Sequence, residues 1–263
     1  MVSVIIPTFN DIDVLPQIVD VVIQSNIVDE IIIVNDGSTS ENTQKIHQIK
    51  DVKIIDQPVN MGKSMALKTG FLESKGDVVC FLDADLRGLR SVDVINLVTP
   101  IINNKYDMTL SQRGGFTSES FWRITGIGFG ESLTGERAFQ RKIIEDNMEI
   151  FDTKGFSIEV NMNKTFLRSY RVAVVVFPYA QNKLKFEKIG VRKGIPADIK
   201  MMKDILNTVG VKEFILQGLY VKKLDIIKPI GDQNKYKVMS IHKLRDQIVS
   251  EILKLKNKTL VMK

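Results

Sequence analysis

Short β-branched runs alternate along the chain with longer stretches in which apolar residues return every three or four positions. Residues 2–6, 30–34, 52–55, 77–82 and 108–110 carry the first pattern and predict strands. Residues 11–24, 40–48, 63–74 and 91–102 carry the second and predict helices; in the first of these Leu15, Ile18, Val19, Val22 and Ile23 share one face. Strands that are apolar nearly throughout need cover on both sides. The alternation therefore predicts an α/β fold with a mostly parallel central sheet and helices on both faces. In such sheets ligands bind beyond the carboxyl ends of the strands. The residues at those ends are polar and unusual: Pro7-Thr8-Phe9-Asn10, Asn35-Asp36-Gly37-Ser38 and Asp83-Ala84-Asp85.

The rhythm loosens over residues 114–135, which are rich in Gly, Ser and aromatics, and resumes with helices predicted at 141–147 and 156–170 and a last strand at 172–177. From residue 181 the chain turns basic, with Lys and Gly interspersed, until an amphipathic helix over 240–254 with Ile241, Leu244, Ile248, Ile252 and Leu255 at helical spacing. This divides the sequence into a domain of residues 1–180 and a basic C-terminal region of residues 181–263. No internal repeat is visible.

The 263 residues are 44% apolar and 26% charged, which excludes disorder, a collagen-like chain and a membrane bundle. The longest apolar run, residues 172–180, contains Pro178 and is well short of the roughly 20 residues that span a bilayer. Cys80 is the single cysteine, so an internal disulfide is impossible; it lies in an apolar run, and the expectation is a buried thiol in a reducing compartment. Met1 leads straight into the first strand without a charged leader, which predicts a cytoplasmic location.

The net charge of +6 conceals an asymmetry. Residues 1–180 hold 18 Lys and Arg against 23 Asp and Glu, whereas residues 181–263 hold 19 against 8. A basic C-terminal third suits anionic lipid, nucleic acid or a phosphorylated substrate.

Asp83 and Asp85 follow directly on a buried strand, where two uncompensated carboxylates would be costly. They are candidate ligands for Mg²⁺ or Mn²⁺, completed by substrate phosphates; as structure alone, Asp-x-Asp is a turn before the helix at Ser91. Asp36 closes another strand, beside a glycine that permits a turn and serines that cap the next helix. It is either that turn or an acceptor for a nucleoside. In Asn60-Met61-Gly62-Lys63-Ser64 a glycine opens a helix carrying Lys63 in its first turn, an arrangement that suits an anion, although the spacing is not that of a Walker loop.

Four pieces taken in order resemble the family 2 glycosyltransferases of the GT-A fold over about residues 1–180: Val4-Ile5-Ile6-Pro7-Thr8-Phe9-Asn10; Ile33-Val34-Asn35-Asp36-Gly37-Ser38; Asn60-Met61-Gly62-Lys63 with Ala66 and Gly70; and Gly76-Asp77 through Phe81-Leu82-Asp83-Ala84-Asp85. The resemblance implies that Pro7, Thr8, Asn10 and Asp36 hold a nucleotide, UDP- or GDP-linked, and that Asp83 and Asp85 hold a metal on a sugar diphosphate. Further on, Ser111-Gln112-Arg113, Phe121-Trp122-Arg123 and Leu133-Thr134-Gly135-Glu136-Arg137-Ala138-Phe139, with Gly155 to Glu159, resemble both polyprenol-phosphate sugar synthases and glucosyl-3-phosphoglycerate synthases. Both imply a phosphate-bearing acceptor, polyprenyl phosphate slightly ahead. Arg113, Arg123 and Arg137 are then candidate phosphate partners, or internal ion-pair partners of Glu136 or Glu159. With a hydroxyl acceptor Glu136 or Glu159 is the candidate base; with a phosphate, Glu136 orients Arg137 or the sugar.

Some features depart from the families. Arg87 stands where polyprenol-phosphate synthases commonly carry Gln after Asp-x-Asp, and it is a poor metal ligand. His47 and His242 are the only histidines and read as structural or exposed. The segment 182–194, which includes Lys193, resembles the mobile loop that closes on donor diphosphate. The helix at 240–254 suits core packing, a homodimer contact or peripheral attachment to an anionic membrane. No nucleic-acid partner is expected, because no basic motif interleaved with aromatics is present. Two other readings remain beside the transferase: a nucleotidyltransferase, against which stands the lack of a Gly-rich activating loop at residues 7–10, and a non-catalytic nucleotide-sugar-binding protein.

Overall fold

The computed structural model describes residues 1–113, 133–153, 157–182 and 203–228. Its centre is an eight-stranded sheet in the order β10-β8-β6-β7-β4-β1-β2-β3. The strands are β1 (Val2–Thr8), β2 (Glu30–Asn35), β3 (Lys53–Asp56), β4 (Val78–Phe81), β6 (Met108–Arg113), β7 (Arg137–Gln140), β8 (Val172–Phe177) and β10 (Asp225–Ile227). The neighbours β3, β2, β1 and β4 run parallel, as do β6, β8 and β10, while β7 lies antiparallel between β4 and β6. A second ladder joins β5 (Leu86–Arg87) to β9 (Gln181–Asn182). Arg87 is thus an exposed residue of a short ladder immediately after Asp83-Ala84-Asp85.

Period-two alternation along the strands sends residues to two separate cores. Val2, Val4 and Ile6 of β1 pack with α1 (Leu15–Gln24) and α4 (Ser91–Ile102), whereas Ile5 joins α3 (Lys63–Glu73) and α6 (Ile158–Phe166) on the opposite face. On that second face Phe71, Phe81, Phe139, Phe151 and Phe166 pack ring against ring. Further helices among the described residues are α2 (Ser40–Ile46), α5 (Arg141–Glu145) and α7 (Val211–Val221), and residues 203–209 are helical as well. α1 begins at Leu15, four residues later than the periodicity predicts, because residues 9–14 turn across the end of β1; Asn10 there has a positive φ of 58°.

Gly70 is where α3 meets the sheet: a Cβ there would collide with the Ile5 side chain. Asp107 pins the starts of β6 and β8 together, accepting from the Arg171 backbone N–H at 2.8 Å and from its guanidinium at 2.7 and 3.1 Å. The sheet draws its outer strand β10 from beyond residue 180, and α7 packs on α6. Cys80 is fully buried in β4, and burial pushes its thiol pKa up. Among the described residues no helix is long and apolar enough to cross a membrane. The predicted loop at 182–194 lies outside the described residues save for Asn182 at the end of β9, and the helix predicted at 240–254 lies wholly outside them.

Candidate active site at the carboxyl edge of the sheet

Because β7 is antiparallel, it begins where its neighbours end. The carboxyl ends of β1, β2, β4 and β6 and the amino end of β7 therefore meet at one edge, and contacts link them in sequence.

At one end of this line, Asn10 ties β1 to the start of α2. Its backbone N–H donates to Ser38 Oγ at 2.9 Å, and its side-chain oxygen accepts from Thr39 N and Asn42 Nδ2, both at 3.0 Å. Thr8 is buried and donates to the Asp11 carbonyl, while Pro7 is half-buried in register with Val34. Asp36, 3% exposed, accepts from the backbone N–H groups of Met61 at 2.7 Å and Gly62 at 2.9 Å. Each oxygen keeps a second lone-pair direction. Burial raises the Asp36 carboxyl pKa, and the two amides partly offset this by stabilising its charge. Asp36 thus braces the turn from which α3 starts, and Gly62 opens that helix at φ 92°.

The first residue of α3 crosses to the next strand. Lys63 Nζ donates to Asp83 Oδ1 at 2.6 Å and to Glu159 Oε1, on α6, at 2.7 Å. Burial works against the Lys63 charge, but the two carboxylates outweigh it and hold its pKa above the ordinary lysine value. Ser64 beside it turns inward to the Phe151 carbonyl. Asp83 is closely backed by Gly135: a Cβ on that glycine would collide with both carboxylate oxygens.

Beyond Gly135 the chain enters β7 with two buried charges. Arg137 is completely buried, its Nε donating to the Thr134 carbonyl at 2.9 Å and its Nη1 to Asn163 Oδ1, one turn along α6 from Glu159, at 2.7 Å. Burial lowers its pKa to about 10, while Glu159, Glu136 and Asp83 pull the other way. Its position is that of an internal brace between β7 and α6 rather than a phosphate partner open to solvent. Glu136 is also fully buried; its Oε2 accepts from Ser111 Oγ at 2.8 Å and Thr134 Oγ1 at 2.5 Å and lies 3.4 Å from Arg113 Nε. Its Oε1 has no hydrogen-bond partner among the described residues. Arg113, at the end of β6, is 6% exposed.

Of the residues singled out in the sequence, Pro7, Thr8, Asn10, Asp36, Asp83, Asp85, Arg113, Glu136 and Arg137 lie at or just beyond strand ends along this edge and Lys63 at the start of α3, whereas Lys193 and Arg123 lie outside the described residues. Asn163 is added by the structure; Ser111, Thr134 and Gly135 stood in the quoted runs without a role of their own, and the structure gives them one beside Glu136 and Asp83. Among the described residues no group of three His, Cys, Asp or Glu side chains converges on a metal position. Asp83 and Asp85 supply two hard carboxylate donors, the set that suits Mg²⁺ or Mn²⁺ when phosphate oxygens and water complete the shell. The residues present fit that ion with substrate bound.

Comparison with known proteins gives the family and the fold. Over 213 residues the chain is 28% identical to the undecaprenyl-phosphate 4-deoxy-4-formamido-L-arabinose transferase of Proteus mirabilis, covering 72% of this chain and 64% of that protein. Over 96 residues it is 31% identical to a dolichyl-phosphate beta-glucosyltransferase of Trichomonas vaginalis, covering 32% of this chain and 30% of the relative. The chain thus spans less than two thirds of the length of either relative. The fold matches that of glucosyl-3-phosphoglycerate synthase from Mycobacterium tuberculosis, solved with Mn²⁺, uridine diphosphate and phosphoglyceric acid, at a TM-score of 0.60 and 20% identity over 79% of this chain and 78% of that one. Residues 3–171 match the family model for glycosyl transferase family 2, and the chain belongs to that family.

Proposed function

We propose that this protein is a metal-dependent glycosyltransferase that moves a hexose from a UDP- or GDP-linked sugar to a phosphate-bearing acceptor, polyprenyl phosphate. The observation that carries the reading is the row of polar contacts at the carboxyl edge: Asn10 with Ser38, Asp36 with the amides of Met61 and Gly62, and Lys63 with Asp83 and Glu159. The two curated relatives, whose names specify undecaprenyl and dolichyl phosphate, support the acceptor; the fold neighbour solved with Mn²⁺ and uridine diphosphate supports the donor and the metal.

In this reading Pro7, Thr8 and Asn10 face the nucleoside, and Asp36 accepts from it with its remaining lone pairs. Asp83 and Asp85 hold Mg²⁺ or Mn²⁺, which neutralises charge on the departing diphosphate. Arg113 and Lys193 contribute positive charge to the phosphates of donor and acceptor, while Lys63 stays with the carboxylates of Asp83 and Glu159. The bond from the sugar's anomeric carbon to the diphosphate breaks, and a bond from that carbon to an acceptor phosphate oxygen forms. An acceptor phosphate is already ionised near neutral pH, so no side chain has to take its proton. Glu136, held by Ser111 and Thr134, orients Arg113 instead. The basic C-terminal region rests against the cytoplasmic face of the membrane, where a lipid phosphate is presented.

Thermal shift with UDP- and GDP-sugars and Mn²⁺ identifies the donor, since a ligand that binds the native state raises its melting temperature. The matching labelled sugar is then offered with polyprenyl phosphate or with phosphoglycerate. Label extracted into organic solvent supports the lipid acceptor; label in the aqueous phase with phosphoglycerate alone replaces it with a soluble one; no shift with any donor overturns the reading.

A further inference from the structure

Lys63 joins three elements that are far apart in sequence. It is the first residue of α3; Asp83 follows β4, and Glu159 lies in the first turn of α6. The ammonium sits almost evenly between the two carboxylates, at 2.6 and 2.7 Å, and all three side chains are largely buried, at 27%, 16% and 11% exposure. We propose that Lys63 is an exchangeable cation at the metal site: it shares Asp83 and Glu159 in the metal-free protein and withdraws to Glu159 when Asp83 takes a divalent ion. Glu159 is then a positioning residue that sets metal affinity through Lys63. The inference rests on the reading of Asp83 as a metal ligand.

The physical case has three parts. First, the Asp83 oxygen that accepts from Lys63 is taken from a metal's shell, and two cations beside one carboxylate repel each other. Metal binding at Asp83 therefore competes with Lys63. Second, stripping Lys63 of Asp83 would leave a buried ammonium uncompensated, at high cost, unless another carboxylate stands within reach. Glu159 already does. The three ammonium donors on a flexible stem let the charge lean from one carboxylate to the other without the helix moving. Third, the helix that carries Glu159 is braced. Asn163, one turn further along α6, is gripped by the buried Arg137, whose own charge also faces Glu159 and Asp83. Without Glu159, Lys63 would lean wholly on Asp83 and the site would favour its internal cation over an external one.

The test is a double-mutant cycle read by Mn²⁺ affinity rather than by turnover. Mn²⁺ is titrated into the full chain in the presence of UDP, and free ion is followed by its electron paramagnetic resonance signal. Glu159→Gln is expected to raise the Kd roughly tenfold, within the range for directly coupled groups. Lys63→Met is expected to leave the Kd at or below that of the unaltered protein, and adding Glu159→Gln to it to change the Kd by less than about twofold. Lys63→Gln, which keeps a hydrogen-bond donor, replaces Lys63→Met if the latter fails to show a cooperative melt. An equal penalty from Glu159→Gln with and without Lys63 means that Glu159 acts on the metal directly, and overturns the exchange. So does an unchanged Kd in Glu159→Gln. Absence of Mn²⁺ binding by the unaltered protein overturns the metal reading itself, and the exchange with it.

Discussion

Gly135 lies against Asp83 so closely that a Cβ at that position would run into both oxygens of the carboxylate. The strand-entry loop and the acidic residue are therefore set by one another: Asp83 keeps its place toward Lys63 because residue 135 has no side chain. Gly135→Ala is expected to push the carboxylate aside and to lower kcat/KM about a hundredfold, the scale for a misplacement near 1 Å. The same change should cost about 1–3 kcal/mol as overpacking. Initial rates of sugar transfer and urea unfolding of the purified variant check the two figures separately. Unimpaired turnover would detach Asp83 from the chemistry.

Arg137 is expected to report on stability before it reports on substrate. Its guanidinium is completely buried and spans the Thr134 carbonyl and Asn163. Arg137→Met removes the cation and leaves Glu136 and Glu159 less compensated, for an expected loss of about 3–5 kcal/mol in urea unfolding at neutral pH. Arg137→Lys keeps the charge but not the fork, and should fall between. A variant of undiminished stability with a raised KM for the acceptor would instead place Arg137 in contact with phosphate.

Asp107 makes a prediction about pH. The guanidinium of Arg171 holds its carboxyl below the ordinary value of 3.8. A carboxylate with a depressed folded-state pKa stabilises the fold fully above its unfolded value, and that contribution is lost as pH falls through the folded one. Arg171 is 58% exposed, so solvent screens the pair and the expected cost of Asp107→Asn near pH 7 is about 1 kcal/mol. The gap in urea midpoint between this variant and the unaltered protein should narrow as pH falls below 3.8. A gap that stays constant from neutral to acid would assign the contribution to hydrogen-bond geometry alone.

Most of the sheet was legible because its strands are apolar runs long enough to show, and helices such as α1 and α4 keep a clear apolar face. β7 was not legible. Its four residues begin with a buried arginine and end with a glutamine, so the strand at the middle of the sheet lacks the apolar pattern that marks the others. α7 was hidden for a related reason: Val211, Ile215 and Leu219 face outward while Gln217 and Gly218 are buried, which blurs the periodicity. At the site, the residue types were readable but their pairings were not. Asp36 bracing Met61 and Gly62, and Lys63 reaching both Asp83 and Glu159, depend on loops that bring together positions 20 to 96 residues apart. Local sequence carries no signal for such contacts. Gly135 illustrates the same limit, since its need for a bare Cα arises only where β7 passes Asp83.

The central claim, that Asp83 and Asp85 at the carboxyl edge support metal-dependent sugar transfer to a lipid phosphate, is tested most directly by one rate comparison. Transfer of labelled hexose from the donor identified by thermal shift to polyprenyl phosphate is measured with Mn²⁺ for the unaltered chain and for Asp85→Ala. The account predicts organic-extractable product that needs Mn²⁺ and falls at least about a hundredfold in Asp85→Ala, the scale for removing an electrostatic stabiliser of a leaving group. Product formed equally well without Mn²⁺, or undiminished in Asp85→Ala, would contradict it.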